Sequence, residues 1–112
     1  MDNVIIESFP VLRLSKNGNV YVRAYDGLNE MDIQFHGKDD VKALVTACGG
    51  KDAFRREVRE YGANKWVEFV GPRARIEFSP TGKTESAVFA RLVAVTKPEA
   101  TSASDLGIDF TV

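Results

Sequence analysis

At 112 residues, with 44% hydrophobic and 28% charged side chains, the chain fits one domain that can bury a core without disulfides, and it has no apolar run near the ~20 residues of a membrane helix. One cysteine, Cys48, excludes an internal disulfide, and one histidine, His36, beside it excludes the usual Cys/His zinc sites, so neither a metal nor another cofactor is expected. Fifteen Lys and Arg against 16 Asp and Glu leave a net charge of −1, which excludes a histone-like basic mass but not a local basic face.

Residues 4 to 36 read as three strands. Val4-Ile5-Ile6 and Val11-Leu12-Arg13-Leu14 are rich in β-formers, and Pro10 between them marks a bulge or an edge. Lys16-Asn17-Gly18-Asn19 carries Asn-Gly, a strong hairpin signal. The run Val20 to Tyr25 alternates, with Val20, Val22 and Ala24 on one face and Tyr21, Arg23 and Tyr25 on the other. Asp26-Gly27 is a second turn, and Met31 to His36 alternates again with Met31, Ile33 and Phe35 inward.

Residues 38 to 62 change to helical spacing. Asp39 or Asp40 can cap a helix whose apolar positions Val41, Leu44, Val45 and Cys48 follow the i, i+3, i+4, i+7 pattern, and Gly49-Gly50 stops it. Asp52 can cap a second helix with Phe54, Val58 and Tyr61 on one stripe and Arg55, Arg56 and Arg59 on its other side, ended by Gly62.

Residues 65 to 97 return to strands. Lys65 to Val70 leads into Gly71-Pro72, a bulge or bend of the kind a small barrel needs at its corners, and the alternation continues from Arg73 to Phe78. Ser79 to Glu85 is a polar loop. Its Thr81-Gly82-Lys83-Thr84 lacks the upstream glycine and the following helix of a P-loop, so it reads as a hairpin tip whose Lys83 can touch a phosphate. Ser86 to Thr96 is the last strand, with Val88, Ala90, Leu92 and Ala94 on one face and Phe89, Arg91, Val93 and Val95 on the other. Lys97 to Ser104 has a small, polar linker composition and ends in the acidic, apolar tip Asp105 to Val112. The predicted organisation is a domain over 1–97 and a flexible acidic tail over 98–112. The last fourteen residues hold Glu99, Asp105 and Asp109 and no base, so the rest carries 15 bases against 13 acids, a net +2.

Three strands, a helical segment and two strands is the order of the OB-fold, a five-stranded Greek-key barrel that binds oligonucleotides on its middle strands. The second half, with Glu60-Tyr61-Gly62, Lys65 to Gly71, Arg73-Ala74-Arg75, the loop Ser79 to Glu85 and Ala87 to Thr96, resembles bacterial and phage single-stranded DNA-binding proteins. Tyr21-Arg23-Tyr25 stands where that family carries nucleic-acid contacts. The tip Asp105-Leu106-Gly107-Ile108-Asp109-Phe110 is similar to the family's partner-docking tip, although Thr111-Val112 follow the phenylalanine here. The resemblance implies a mainly β OB-fold barrel, a homo-oligomer without membrane attachment. It would protect single-stranded DNA in replication or recombination and recruit partner proteins through Asp105, Ile108, Asp109 and Phe110.

Single-strand binders need flat π faces for bases and cations for phosphates. Tyr21 and Tyr25 at i and i+4 on a strand stand about 13 Å apart, room for two bases with a nucleotide between them, and Arg23 reaches the intervening phosphate. Trp66 reads either as a core anchor or as a stacking residue. Arg73 with Arg75, and Phe89 with Arg91, supply two further candidate groups, whose alternative is an ion-paired face. Phe89 also suits a dimer interface. Cys48 lies on the apolar helical stripe, which makes it a core residue rather than a nucleophile paired with His36, and no carboxylate pairing calls for acid–base catalysis, so a non-enzyme is expected. The N-terminus lacks a basic stretch followed by an apolar run, so a reducing cytoplasm is the expected compartment. Two other readings stay open: a small phage- or plasmid-borne protein-interaction module on the same barrel, and RNA binding.

Overall fold

The computed structural model describes residues 3–26, 31–81 and 90–97. Among them, strands β1 (Val4–Ser8), β2 (Val11–Leu14), β3 (Val20–Asp26) and β4 (Met31–Phe35) precede helix α1 (Lys38–Ala47). Strands β5 (Arg55–Tyr61), β6 (Asn64–Val70), β7 (Ala74–Pro80) and β8 (Ala90–Thr96) follow it. The strands make two antiparallel sheets, one in the order β4-β3-β2-β6-β5 and one in the order β1-β7-β8. No helix among the described residues is long and apolar enough to cross a membrane.

The chain passes between the sheets at two proline corners, Phe9-Pro10 and Gly71-Pro72-Arg73. Pro10 has no N–H to donate, so the ladder of β1 with β7 cannot run on unbroken into β2. The corners are joined: the Gly71 N–H donates to the Pro10 carbonyl at 2.8 Å. A Cβ on Gly71 would stand 2.6 Å from Cε2 of Phe54, so glycine lets the corner close over that ring.

The alternation then decides the interior. Val22, Ala24, Ile33 and Phe35 face inward from the larger sheet, and Ile6, Ala74, Ile76, Phe78 and Ala90 from the smaller. Helix α1 adds Val41, Leu44 and Cys48. Each large side chain buried here contributes about 1.5–3 kcal/mol. The exposed ion pairs contribute about 0–1 kcal/mol each, so the sandwich of side chains, not the charged surface, holds the fold.

Five expectations need correction. Residues 54–61 are not a second helix. Only a short 3₁₀ turn, Lys51–Ala53, follows α1, and Phe54 is already extended at φ −98°, ψ 132°. The spacing of Phe54, Val58 and Tyr61 suits a helix, but β5 pairs with β6 along its whole length, from Arg55↔Val70 to Tyr61↔Asn64. The turn between them is the two residues Gly62-Ala63, with Gly62 at φ +62°, a conformation glycine adopts without penalty. The strand count among the described residues is therefore eight rather than five: the proline corners split two long strands, and β5 is added.

Arg73 lies on the second corner, before β7 begins at Ala74. Gly37, not Asp39 or Asp40, takes the N-cap of α1, and the two aspartates sit in its first turn, where the helix dipole favours negative charge. In β8 the register shifts between Glu77↔Ala94 and Phe78↔Leu92, which leaves Val93 unopposed. That bulge turns Val95 toward the core and Ala94 outward, reversing the faces expected for both. The turn after Asp26, the loop with Lys83 and Phe89, and the tail from residue 98 lie outside the described residues.

Candidate nucleic-acid interface

The outer face of the larger sheet collects the aromatic and cationic residues. Register fixes it: Tyr21 lies opposite Arg13, and Arg23 opposite Val11 on β2 and Gln34 on β4. On the far side Trp66 lies opposite Arg59 on β5. Every second residue therefore faces the same way across five strands, and Tyr21, Arg23, Tyr25, Arg13, Trp66 and Arg59 share one surface.

Each ring is held by a neighbour. Tyr21 is half-buried and stacks on His36, with centroids 5.1 Å apart and planes 23° apart. Tyr25 is 43% exposed, and the Arg23 guanidinium lies 5.7 Å from its ring centre. The Arg13 guanidinium lies 5.3 Å from the centre of the half-buried Trp66 ring. The Trp66 indole N–H donates to Oε1 of Glu68 at 2.8 Å. Glu68 is only 9% exposed, and it also takes the Nε of Arg13 at 3.2 Å and the Nε of Arg59 at 3.4 Å. One carboxylate thus sets an indole and two guanidiniums in fixed orientation, with the remaining guanidinium N–H groups available to other acceptors. Trp66 is neither a core anchor nor a free platform: it is a half-covered ring on the same face as the tyrosines.

The other candidates lie elsewhere. Arg75 and Arg91 are exposed on the outer face of the three-stranded sheet, opposite Thr96 and Ser79 respectively. Arg73, at the corner, pairs with Glu7. Lys83, Phe89 and the tip residues Asp105, Ile108, Asp109 and Phe110 fall outside the described residues. The sequence-based site is therefore divided, with Tyr21, Arg23, Tyr25 and Trp66 on one sheet and Arg75 and Arg91 on the other.

Sequence reasoning missed Arg13, His36, Arg55 and Arg59 as members of the first group. Arg13 was legible, since alternation in Val11-Leu12-Arg13-Leu14 puts it on the side away from Leu12 and Leu14. Arg55 and Arg59 were hidden by the helical reading of their segment. Arg55 is held by Glu57 on its own strand.

Cys48 is buried, and burial pushes its thiol above the ordinary range, partly opposed by the charge of Lys97. Among the described residues no group of His, Cys, Asp and Glu has the arrangement of a metal site. No protein-family model, curated protein or solved structure matches this chain.

Proposed function

We propose that the outer face of the β4-β3-β2-β6-β5 sheet binds single-stranded DNA without strong sequence preference. The observation that carries this reading is the convergence of Tyr21, Tyr25 and Trp66 with Arg13, Arg23 and Arg59 on one face. Stacking on such rings is worth about 1–3 kcal/mol per base and tolerates any base, while guanidiniums meet the phosphates between. The topology supports an OB-fold reading as well. With β1 and β2 taken as one strand bent at Pro10, and β6 and β7 as one bent at Gly71-Pro72, six strands remain, the five of a Greek-key barrel with β5 added, and β4 approaches β8 where such a barrel closes.

The test is a titration of the full chain with oligo-dT, read by Trp66 fluorescence at two salt concentrations. Micromolar or tighter binding that weakens as salt rises is expected, because neutralised phosphates release counterions. Duplex DNA should bind far more weakly, since its bases are not free to stack. Equal affinity for both forms, or indifference to salt, would overturn the reading, and tighter binding to oligo-U would move the substrate to RNA.

One observation favours a second reading. Arg13, Arg55 and Arg59 on this face all have carboxylate partners. A face of paired charges suits a protein-interaction module, and retention of a partner protein with no response to oligo-dT would select it. The exposure of Tyr25 weighs against this.

A further inference from the structure

The face opposite the aromatic one is incomplete. Near β4 and the helix it is closed core. Toward the far ends of β2, β3 and β6 it opens into a groove of about 690 Å³, whose apolar lining is Leu12, Leu14, Val20, Phe54, Val67 and Phe69, with Arg13 of the aromatic face also bordering it. Leu14 is 65% exposed, Val20 45%, Phe69 40% and Val67 36%. Val58, opposite Val67 on β5, continues the apolar row. A contiguous apolar surface of this kind on a small protein marks a binding site.

The sequence outside the described residues contains a matching element. Leu106, Ile108, Phe110 and Val112 recur at every second position, so an extended segment presents all four on one side and Gly107, Asp109 and Thr111 on the other. Where the described chain ends also matters. Lys97 Nζ lies 2.9 Å from the point where a Cβ on Gly49 would stand, so the last described residue reaches with its side chain to the turn that leads, two residues on, to Lys51 at the rim of the groove. The nine residues from Pro98 to Leu106 can span about 30 Å, enough to reach the groove. A tether that short also keeps the segment at high effective concentration over its own chain. Charge agrees: the rim carries Lys51, with Arg56 exposed beside Phe69 on β5, against Asp105 and Asp109 in the segment, and Asp52 is the one opposing rim charge.

We propose that the segment Asp105–Val112 docks in the apolar groove of its own chain, with Phe110 as the anchor. This holds whatever the aromatic face binds. A segment held there is withheld from the groove of any other protein until it is displaced, so occupancy of the groove sets the availability of the tail.

The experiment is methyl NMR on the full chain. Nuclear Overhauser contacts are expected from the methyls of Leu106, Ile108 and Val112 to those of Leu12, Leu14, Val20 and Val67, unchanged on tenfold dilution. Phe110→Ser, which changes a residue outside the described elements, should abolish them and shift the groove methyls. A sample mixed from labelled and unlabelled chains separates contacts within a chain from contacts between chains. Contacts seen only between chains would make a second copy the occupant and overturn the proposal. Absence of tail-to-groove contacts in the full chain would overturn it as well, and contacts that survive Phe110→Ser would overturn the anchor.

Discussion

Glu68 shows what a single residue does here. Among the described residues it is the buried charged side chain, and it receives the Trp66 indole and the two guanidiniums of Arg13 and Arg59. Glu68→Ala leaves those donors without their acceptor, so unfolding in urea should show a loss of about 1.5–3 kcal/mol, the range for hydrogen bonds to charged groups. Glu68→Gln keeps an acceptor for the indole and should lose less. Tyr25 is open to solvent, so Tyr25→Ala should weaken oligo-dT binding by about 1–3 kcal/mol and leave stability nearly unchanged. Arg23→Ala should instead reduce the slope of log affinity against log salt by about 0.7, the value for one phosphate contact on a single strand. Cys48 is the contrary case. Its thiol is buried and held above its ordinary pKa, first by desolvation, so little nucleophilic thiolate forms near neutral pH. An aromatic disulfide reagent should label it only as fast as the chain unfolds, and immediate labelling of the native protein would contradict the burial.

At the scale of elements, the two proline corners explain why the strand reading succeeded and where it failed. Period-two alternation in 20–25 and 31–36 placed Val22, Ala24, Ile33 and Phe35 correctly, because the core seals that part of the face, whereas Val20, expected inward as well, is 45% exposed at the open end of β3. Pro10 and Gly71-Pro72 were legible as bends, but not as the points where one sheet becomes two. That depends on the Gly71–Pro10 hydrogen bond, between residues far apart in sequence. The 55–61 segment was misread because Phe54, Val58 and Tyr61 satisfy a helical stripe by coincidence, while the pairing that decides the matter comes from residues not yet reached in the chain. The β8 bulge was equally invisible, since alternation carries no sign of an inserted residue. The corner itself can be tested. Gly71→Ala puts a methyl 2.6 Å from the Phe54 ring and 3.0 Å from the Pro10 ring, so the ring must leave its buried seat. A loss of about 1–3 kcal/mol in denaturant unfolding is expected, the usual cost of overpacking. A neutral result would show that the corner is looser than its geometry.

For the whole molecule, charge and position pull apart. The chain carries −1, but without Glu99–Val112 it carries 15 bases against 13 acids, or +2. The apolar lining of the groove faces away from Tyr21, Tyr25 and Trp66, so a tail seated there leaves those rings open, and its acids act on the aromatic face through their field. The Debye length is about 30 Å at 0.01 M salt and about 8 Å at 0.15 M. Acids held across the thickness of the molecule are therefore felt at the aromatic face in the first condition and largely screened in the second. Replacing Glu99, Asp105 and Asp109 by their amides in the full chain should raise oligo-dT affinity at 0.01 M and change it little at 0.15 M. Removal of residues 99–112 should give the same pattern, since it deletes the same three charges. A gain that persisted at 0.15 M would mean that the tail contacts the aromatic face directly, and a gain from truncation but not from the amides would mean that Leu106, Ile108 and Phe110, rather than the acids, compete with the nucleic acid.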